Sequence, residues 1–141
     1  MGIESTLLPT RFLLTTVHLM AILTLFNSKD ANIRAALPIS YTTVQYSSMN
    51  NQMLAALWIA VVCFIVEYLG MFSGVSIMKH AHNSFYVVAH FIGAILIASF
   101  ALESWNMLAI WYVVIPLSLV PALLEASVLA QTVLYGSLQY M

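Results

Sequence analysis

Four long apolar runs, separated by shorter polar stretches, dominate the hydrophobic pattern of this 141-residue chain. They cover about residues 7–26, 53–72, 84–102 and 107–131. The only long polar segment is the loop of residues 27–52. Each run is close to, or longer than, the roughly 20 residues that a helix needs to cross a bilayer. The pattern predicts an all-α, polytopic membrane protein, with residues 1–141 forming a single domain that is a bundle of four transmembrane helices.

The second run carries its small residues on one helical stripe. Read at alternating steps of four and three, residues 56–76 place five small residues and one acid on that stripe: Ala56, Ala60, Cys63, Glu67, Gly70 and Gly74. Large apolar side chains cover the rest of the helix. This arrangement is expected in lipid, where small residues let helix backbones approach closely. The five small residues are therefore predicted to form a helix-packing stripe, against either the rest of the bundle or a partner.

Composition limits the classes of function. The chain is 62% hydrophobic and 6% charged, whereas soluble domains have about 25% charged residues. A formal net charge of −1 does not favour binding to nucleic acid. A single cysteine excludes an internal disulfide and a C-x-x-C site. No nucleophile–base pair, phosphate loop or cofactor motif occurs, so we expect no catalytic site, cofactor, metal or small-molecule substrate.

Each run also contains an ionisable residue at a similar depth, and together these are His18, Glu67, His90 and Glu125. At 1.5 Å per residue they lie roughly 8–10 Å inside the same end of the bundle. A charged side chain facing lipid there would cost roughly 3 kcal/mol or more. Such a set could bind a divalent ion or relay a proton, but no Glu-x-x-His spacing supports a metal. We therefore predict a structural polar layer of interhelical hydrogen bonds, with Glu67 mostly neutral.

Other charged residues and prolines refine this topology. Arg11 lies near the start of its run, where a long side chain can extend to the headgroups. Four spans place both termini on one side, but lysine and arginine do not fix the orientation, because each side has two: Arg11 and Lys79 against Lys29 and Arg34. Pro116 and Pro121 predict kinks in the last helix, because proline removes a backbone donor.

Several short stretches carry a more specific pattern. They are Pro9-Thr-Arg-Phe12, Thr24-Leu-Phe-Asn-Ser-Lys-Asp30, Asn32-Ile33 with Leu37-Pro38, Val66-Glu67 with Gly70 and Ser73-Gly-Val-Ser76, Glu103-x-Trp105, Trp111-Tyr112, and Pro121-Ala122 with Glu125. In this order and spacing, they resemble the transmembrane protein 107 family, whose members are small four-span proteins of the ciliary transition zone. His18 and His90 also match family positions.

The resemblance implies a non-enzymatic role as a structural and assembly subunit. Its partners would be the lipid bilayer and other transition-zone membrane proteins of the Meckel-syndrome module, with which it would support cilium assembly and control ciliary membrane protein composition. It also implies cytosolic termini, which places residues 27–52 on the opposite side. The chain departs from the family at Ser137-Leu-Gln-Tyr-Met141, which lacks a basic tail.

The alternative function is that of a small channel or proton-coupled carrier subunit using the intramembrane His/Glu layer. Such a pathway would need a second long acidic or polar stripe. The sequence has no such stripe, which favours the structural role.

Overall fold

The computed structural model describes residues 3–76 and 80–139, so the prediction concerning Lys79 lies outside the described residues. The described chain is helical apart from short connections, with no strand in these two ranges. Four segments are long and apolar enough to cross a membrane: Thr6–Ser28, Thr43–Phe72, Ala81–Leu102 and Met107–Tyr135. The predicted all-α class with four membrane spans is confirmed.

The first three spans are continuous helices. They are α1 (Ile3–Ser28), α3 (Thr43–Phe72) and α4 (His80–Leu102), with the short helix α2 (Asp30–Ala35) between the first two. The polar connection is shorter than predicted, because α3 begins at residue 43 instead of 53. Thr42 and Gln45 form a capping box, in which each side chain accepts a hydrogen bond from the other residue's backbone amide. This cap starts the helix in a polar stretch beyond the apolar run.

The fourth span changes its helical form along its length. A 3₁₀ turn (Met107–Ala109) leads into α5 (Ile110–Val114), a π-helical turn (Ile115–Leu119) and α6 (Val120–Gln139). Pro116 lies in the π-helical turn, where the Val120 amide donates to the Ile115 carbonyl. Proline has no amide hydrogen and its ring crowds the preceding turn, which explains the interruption there. Pro121 is buried near the start of α6.

The spans pack in a closed ring of neighbours. Helix α1 lies against α4 and α3, α3 also packs on α6, and α4 packs on α5 and the π-helical turn. Helix α2 covers the loop-side end, where the Asn32 amide group donates to the carbonyls of Phe100 and Trp105 at 2.7 and 3.0 Å. These contacts hold the connection between α1 and α3 against the end of α4.

The interior is divided into two halves of different chemistry. The loop-side half is an apolar core in which fully buried side chains from all four spans meet, among them Ile22, Leu57, Ile97 and Ile110. Apart from Asn32, the buried polar side chains lie in the other half, nearer the termini. Large apolar side chains such as Leu13, Val62 and Val88 are exposed, as expected for surfaces that face lipid. The polar half is therefore enclosed by helices.

Candidate functional site, a buried polar cluster

A chain of three side chains, here called the histidine chain, joins three helices in the polar half. Glu67 on α3, His90 on α4 and His18 on α1 are all buried. His90 Nε2 lies 2.6 Å from Glu67 Oε2, and His90 Nδ1 lies 3.2 Å from His18 Nδ1. His90 is thus the central member and uses both ring nitrogens.

A glycine and an aromatic ring position the histidine chain. The ring of Phe64 meets the His18 ring edge-on, with centroids 5.0 Å apart. On the opposite helix, a Cβ atom added to Gly93 would overlap the His18 imidazole. Only glycine leaves room for the ring at that point, so α1 and α4 can approach closely with a histidine between them.

A second set of contacts, here called the arginine group, surrounds Arg11. Arg11 Nη1 donates to Ser76 Oγ at 3.0 Å and to Asn83 Oδ1 at 2.7 Å, while Nη2 donates to Glu125 Oε2 at 3.0 Å. The guanidinium carbon lies 4.2 Å from the centre of the Tyr86 ring, within range of a cation–π interaction. One side chain of α1 therefore contacts α4, α6 and the connection between α3 and α4.

The prediction that Arg11 extends to the headgroups is wrong, since its side chain is only 1% exposed. Oxygen acceptors from other segments offset the lost hydration of the Arg11 guanidinium. The position of Arg11 in the sequence does not show these acceptors. A signal was nevertheless present. Arg11, Thr15 and His18 follow one another at steps of four and three, which places Arg11 on the helix face that carries the histidine.

The four residues of the predicted polar layer are all buried, but they are distributed over two groups. Glu67, His90 and His18 form the histidine chain, whereas Glu125 forms its ion pair with Arg11. The sequence pattern predicts one shared layer, to which each helix presents one residue. The geometry instead joins them through different partners. Arg11, which the sequence pattern places at the headgroups, belongs to the buried cluster.

The small-residue stripe faces inward for most of its length. Ala56, Ala60, Cys63 and Gly70 are buried. A Cβ atom on Gly70 would overlap the Glu125 carboxylate, so this glycine makes room for the acid that pairs with Arg11.

Gly74 was predicted to belong to the helix-packing stripe, and the structure contradicts this. Helix α3 ends at Phe72, and Gly74 lies in the following turn with φ of 77°. No atom lies within 4 Å of a Cβ placed there. The left-handed backbone of the turn explains why glycine occurs at this position, because residues with a Cβ rarely adopt that conformation.

Several polar atoms of the buried cluster have no hydrogen-bond partner within the described ranges. They are Thr15 Oγ1, His18 Nε2, Glu67 Oε1, Tyr86 Oη, Ser118 Oγ and Glu125 Oε1. In the same part of the chain, no three His, Cys, Asp or Glu side chains converge as metal ligands. The chemistry that the cluster offers is hydrogen bonding, ion pairing and proton binding.

Comparisons with known proteins identify related sequences. The model of the protein family TMEM107, described as a transmembrane protein, matches residues 7–129. Transmembrane protein 107 of Mus musculus is 35% identical over 127 residues, which are 90% of this chain and 91% of the relative. That of Homo sapiens is 36% identical over 125 residues, 89% of each chain. That of Danio rerio is 31% identical over 125 residues, covering 89% of this chain and 93% of the relative.

The chain belongs to the transmembrane protein 107 family. No solved structure matches it. The segment that matches the family contains both the arginine group and the histidine chain, since these extend from Arg11 to Glu125. The polar cluster of this transmembrane protein 107 relative therefore lies wholly within the family domain.

Removing Arg11 alone should destabilise the protein more than removing Arg11 together with Glu125. Arg11→Leu leaves Glu125 buried without its cation, at a cost of about 3–5 kcal/mol. In Arg11→Leu/Glu125→Leu neither charge remains, so we expect this double variant to unfold at a higher temperature than Arg11→Leu. Thermal unfolding of the purified protein in detergent measures this, with Arg34→Leu on the exposed face of α2 as the control. If the double variant lost as much in unfolding temperature as the sum of the losses of Arg11→Leu and Glu125→Leu, the ion pair would be contradicted.

Replacing the glycine under His18 should destabilise the bundle. In an open helix, Gly→Ala stabilises by up to about 1 kcal/mol. Here the added methyl group of Gly93→Ala overlaps a buried ring, and we expect a net loss of about 1–3 kcal/mol. Ala98→Val, on the exposed face of the same helix, should have little effect in the same unfolding assay. A gain in stability for Gly93→Ala would show that the ring is not confined there.

Proposed function

We propose that this chain is a structural and assembly subunit of a ciliary transition-zone membrane complex. In that complex it supports cilium assembly and the control of ciliary membrane protein composition. The observation that carries the proposal is family membership across residues 7–129, together with the family resemblance of the motifs. Its partners are the lipid bilayer and other transition-zone membrane proteins of the Meckel-syndrome module.

The chemistry of the interior supports a non-enzymatic role. Polar side chains of the cluster contact one another across helices, so they act on the arrangement of the spans. An apolar groove of about 420 Å³ lies between α1 and α3, lined by Leu8, Pro9, Phe12, Met71 and Phe72. It includes no member of the arginine group or the histidine chain. A bundle of this kind offers partners a defined outer surface rather than a reaction centre.

We infer further that both termini are cytosolic, so that α2 and the start of α3 lie on the other side of the membrane. The support is the parity of four spans and the family resemblance, since the charges are balanced. Ser47 is exposed near the start of α3, which makes Ser47→Cys a suitable probe. With Cys63→Ser as the background, an impermeant thiol reagent should label it without permeabilisation when the protein is at the cell surface. Labelling only after permeabilisation would reverse the topology.

A channel or proton-coupled carrier remains the second candidate, because a specific observation favours it. Buried polar atoms such as Glu67 Oε1 and His18 Nε2 have no partner in the described part of the chain. Groups of this kind are found along proton pathways in membrane proteins. A carrier needs Glu67 to titrate, whereas a structural role needs it to accept a hydrogen bond.

A tagged copy should be located at the ciliary base of a ciliated cell lacking the endogenous protein, and should restore cilium assembly. Glu67→Gln retains shape and a hydrogen-bond acceptor, so we expect it to be tolerated. Glu67→Leu leaves His90 without its partner, at about 1–3 kcal/mol, and should lower protein abundance.

Microscopy and immunoblotting measure location and abundance. Location away from the ciliary base would overturn the proposed site of action. Equal loss of function in both Glu67 variants at normal protein level would instead support the carrier.

A further inference from the structure

We propose that the apolar groove between α1 and α3 is a binding site for one sterol molecule, taken from the leaflet on the side of the termini. The inference goes beyond the proposed function and does not depend on where the protein acts in the cell. Four features of the groove carry it: its length, its depth in the membrane, its aromatic side and a hydroxyl group at its outer end.

The dimensions of the groove suit a small molecule rather than a helix. Its volume is about 420 Å³, within the range of roughly 300–1,000 Å³ that small-molecule sites have. On α1 it extends from Leu8 to Phe12, which is about 6 Å along the helix axis. A helix docked in a groove uses anchor residues at i, i+3, i+4 and i+7, and these span about 10 Å. The groove is therefore too short to seat a transmembrane helix of a partner or of a second copy.

The groove lies at the outer end of two membrane spans. Leu8 is close to the start of the span Thr6–Ser28, and Phe72 is the last residue of the span Thr43–Phe72. Every lining side chain is apolar: Leu8, Pro9, Phe12, Met71 and Phe72. At the edge of the hydrocarbon layer, a phospholipid carries its glycerol ester groups, which gain no hydrogen bond from such a lining. A sterol is apolar up to its single hydroxyl group, so its ring system matches the lining at this depth.

Aromatic rings give the groove a rigid side. Phe12 and Phe72 both line it, with ring centroids 6.4 Å apart and planes inclined by 63°. Tyr68 contacts both rings, edge-on to Phe12 and stacked on Phe72. The Tyr68 hydroxyl is hydrogen-bonded to Thr16 Oγ1 at 2.8 Å, which fixes the ring cluster against α1. A rigid ring system loses less conformational freedom than a flexible acyl chain when it binds such a surface.

A hydroxyl group lies beyond the aromatic side. Ser73 follows Phe72 directly, at the end of α3, and its side chain is exposed. Ser73 Oγ donates to the Gly70 carbonyl at 2.8 Å, and a hydroxyl oxygen that donates one hydrogen bond can still accept another. A sterol lying in the groove with its hydroxyl group toward the headgroups would donate to this oxygen.

Photolabelling of the full chain tests the proposal. The purified protein is reconstituted in phosphatidylcholine nanodiscs with a cholesterol analogue that carries a diazirine on its ring system, and mass spectrometry locates the labelled residues. We expect label at Leu8–Phe12 and at Met71 and Phe72, reduced severalfold by excess unmodified cholesterol. Label spread evenly over the lipid-facing side chains, or groove label that cholesterol does not reduce, overturns the proposal.

A phosphatidylcholine with a diazirine on its acyl chain distinguishes a sterol from a phospholipid. We expect this second probe to label the groove no more than the other lipid-facing surfaces, and excess cholesterol to reduce its label at the groove alone. Groove labelling by the phospholipid that persists in excess cholesterol would show that acyl chains fill the groove, and the sterol assignment would then be wrong.

Two matched variants connect the label with the aromatic side of the groove. Phe72→Ala removes a ring that is 74% exposed, so the fold should be retained while the cholesterol-sensitive label falls severalfold. Phe91→Ala removes a ring that is 53% exposed on α4, outside the groove, and the label should remain. Undiminished label in folded Phe72→Ala contradicts the assignment of the sterol to this surface. If Phe72→Ala does not elute as a folded protein, competition by cholesterol in the natural sequence decides the question.

Discussion

The burial of Arg11 is the constraint on which the polar half of the structure depends. A guanidinium removed from water is stable only when its donors are matched and its charge is paired. Ser76, Asn83 and Glu125 provide the matching oxygens, and Tyr86 provides an aromatic face. These partners come from α4, α6 and the connection after α3. One side chain therefore sets the positions of three segments relative to α1. A displacement of any of these segments would leave a buried donor of Arg11 without its acceptor.

The small residues and the polar residues form one packing system. Small residues in membrane helices are usually explained by the close approach of two backbones. Here Gly70 makes room for the Glu125 carboxylate, and Gly93 makes room for the His18 imidazole. A larger residue at either glycine would displace a charged or ring group that also contacts another helix. The glycines therefore protect hydrogen bonds as well as interhelical distance.

The sequence was sufficient for the spans and for the inward orientation of His18, because both follow from the cost of polar groups in hydrocarbon. It was insufficient for Arg11, since an arginine near the end of an apolar run can reach water or turn inward, and only its tertiary partners distinguish these states. Similarly, Pro116 indicated an interrupted helix but not a π-helical turn. Gly74 continued the small-residue spacing past the end of α3, because spacing alone does not show where a helix stops.

The division of the interior into two halves gives each half a different task. Apolar side chains do not distinguish strongly between helix–helix and helix–lipid contact, because lipid tails are equally apolar. Contacts such as those of Arg11 and His90 are directional, and a rotation or one-turn shift of a helix would break them. Replacing buried ion pairs by apolar residues is often neutral for stability. The polar half is therefore best understood as fixing the register of the four spans, and with it the shape of the outer surface of the bundle.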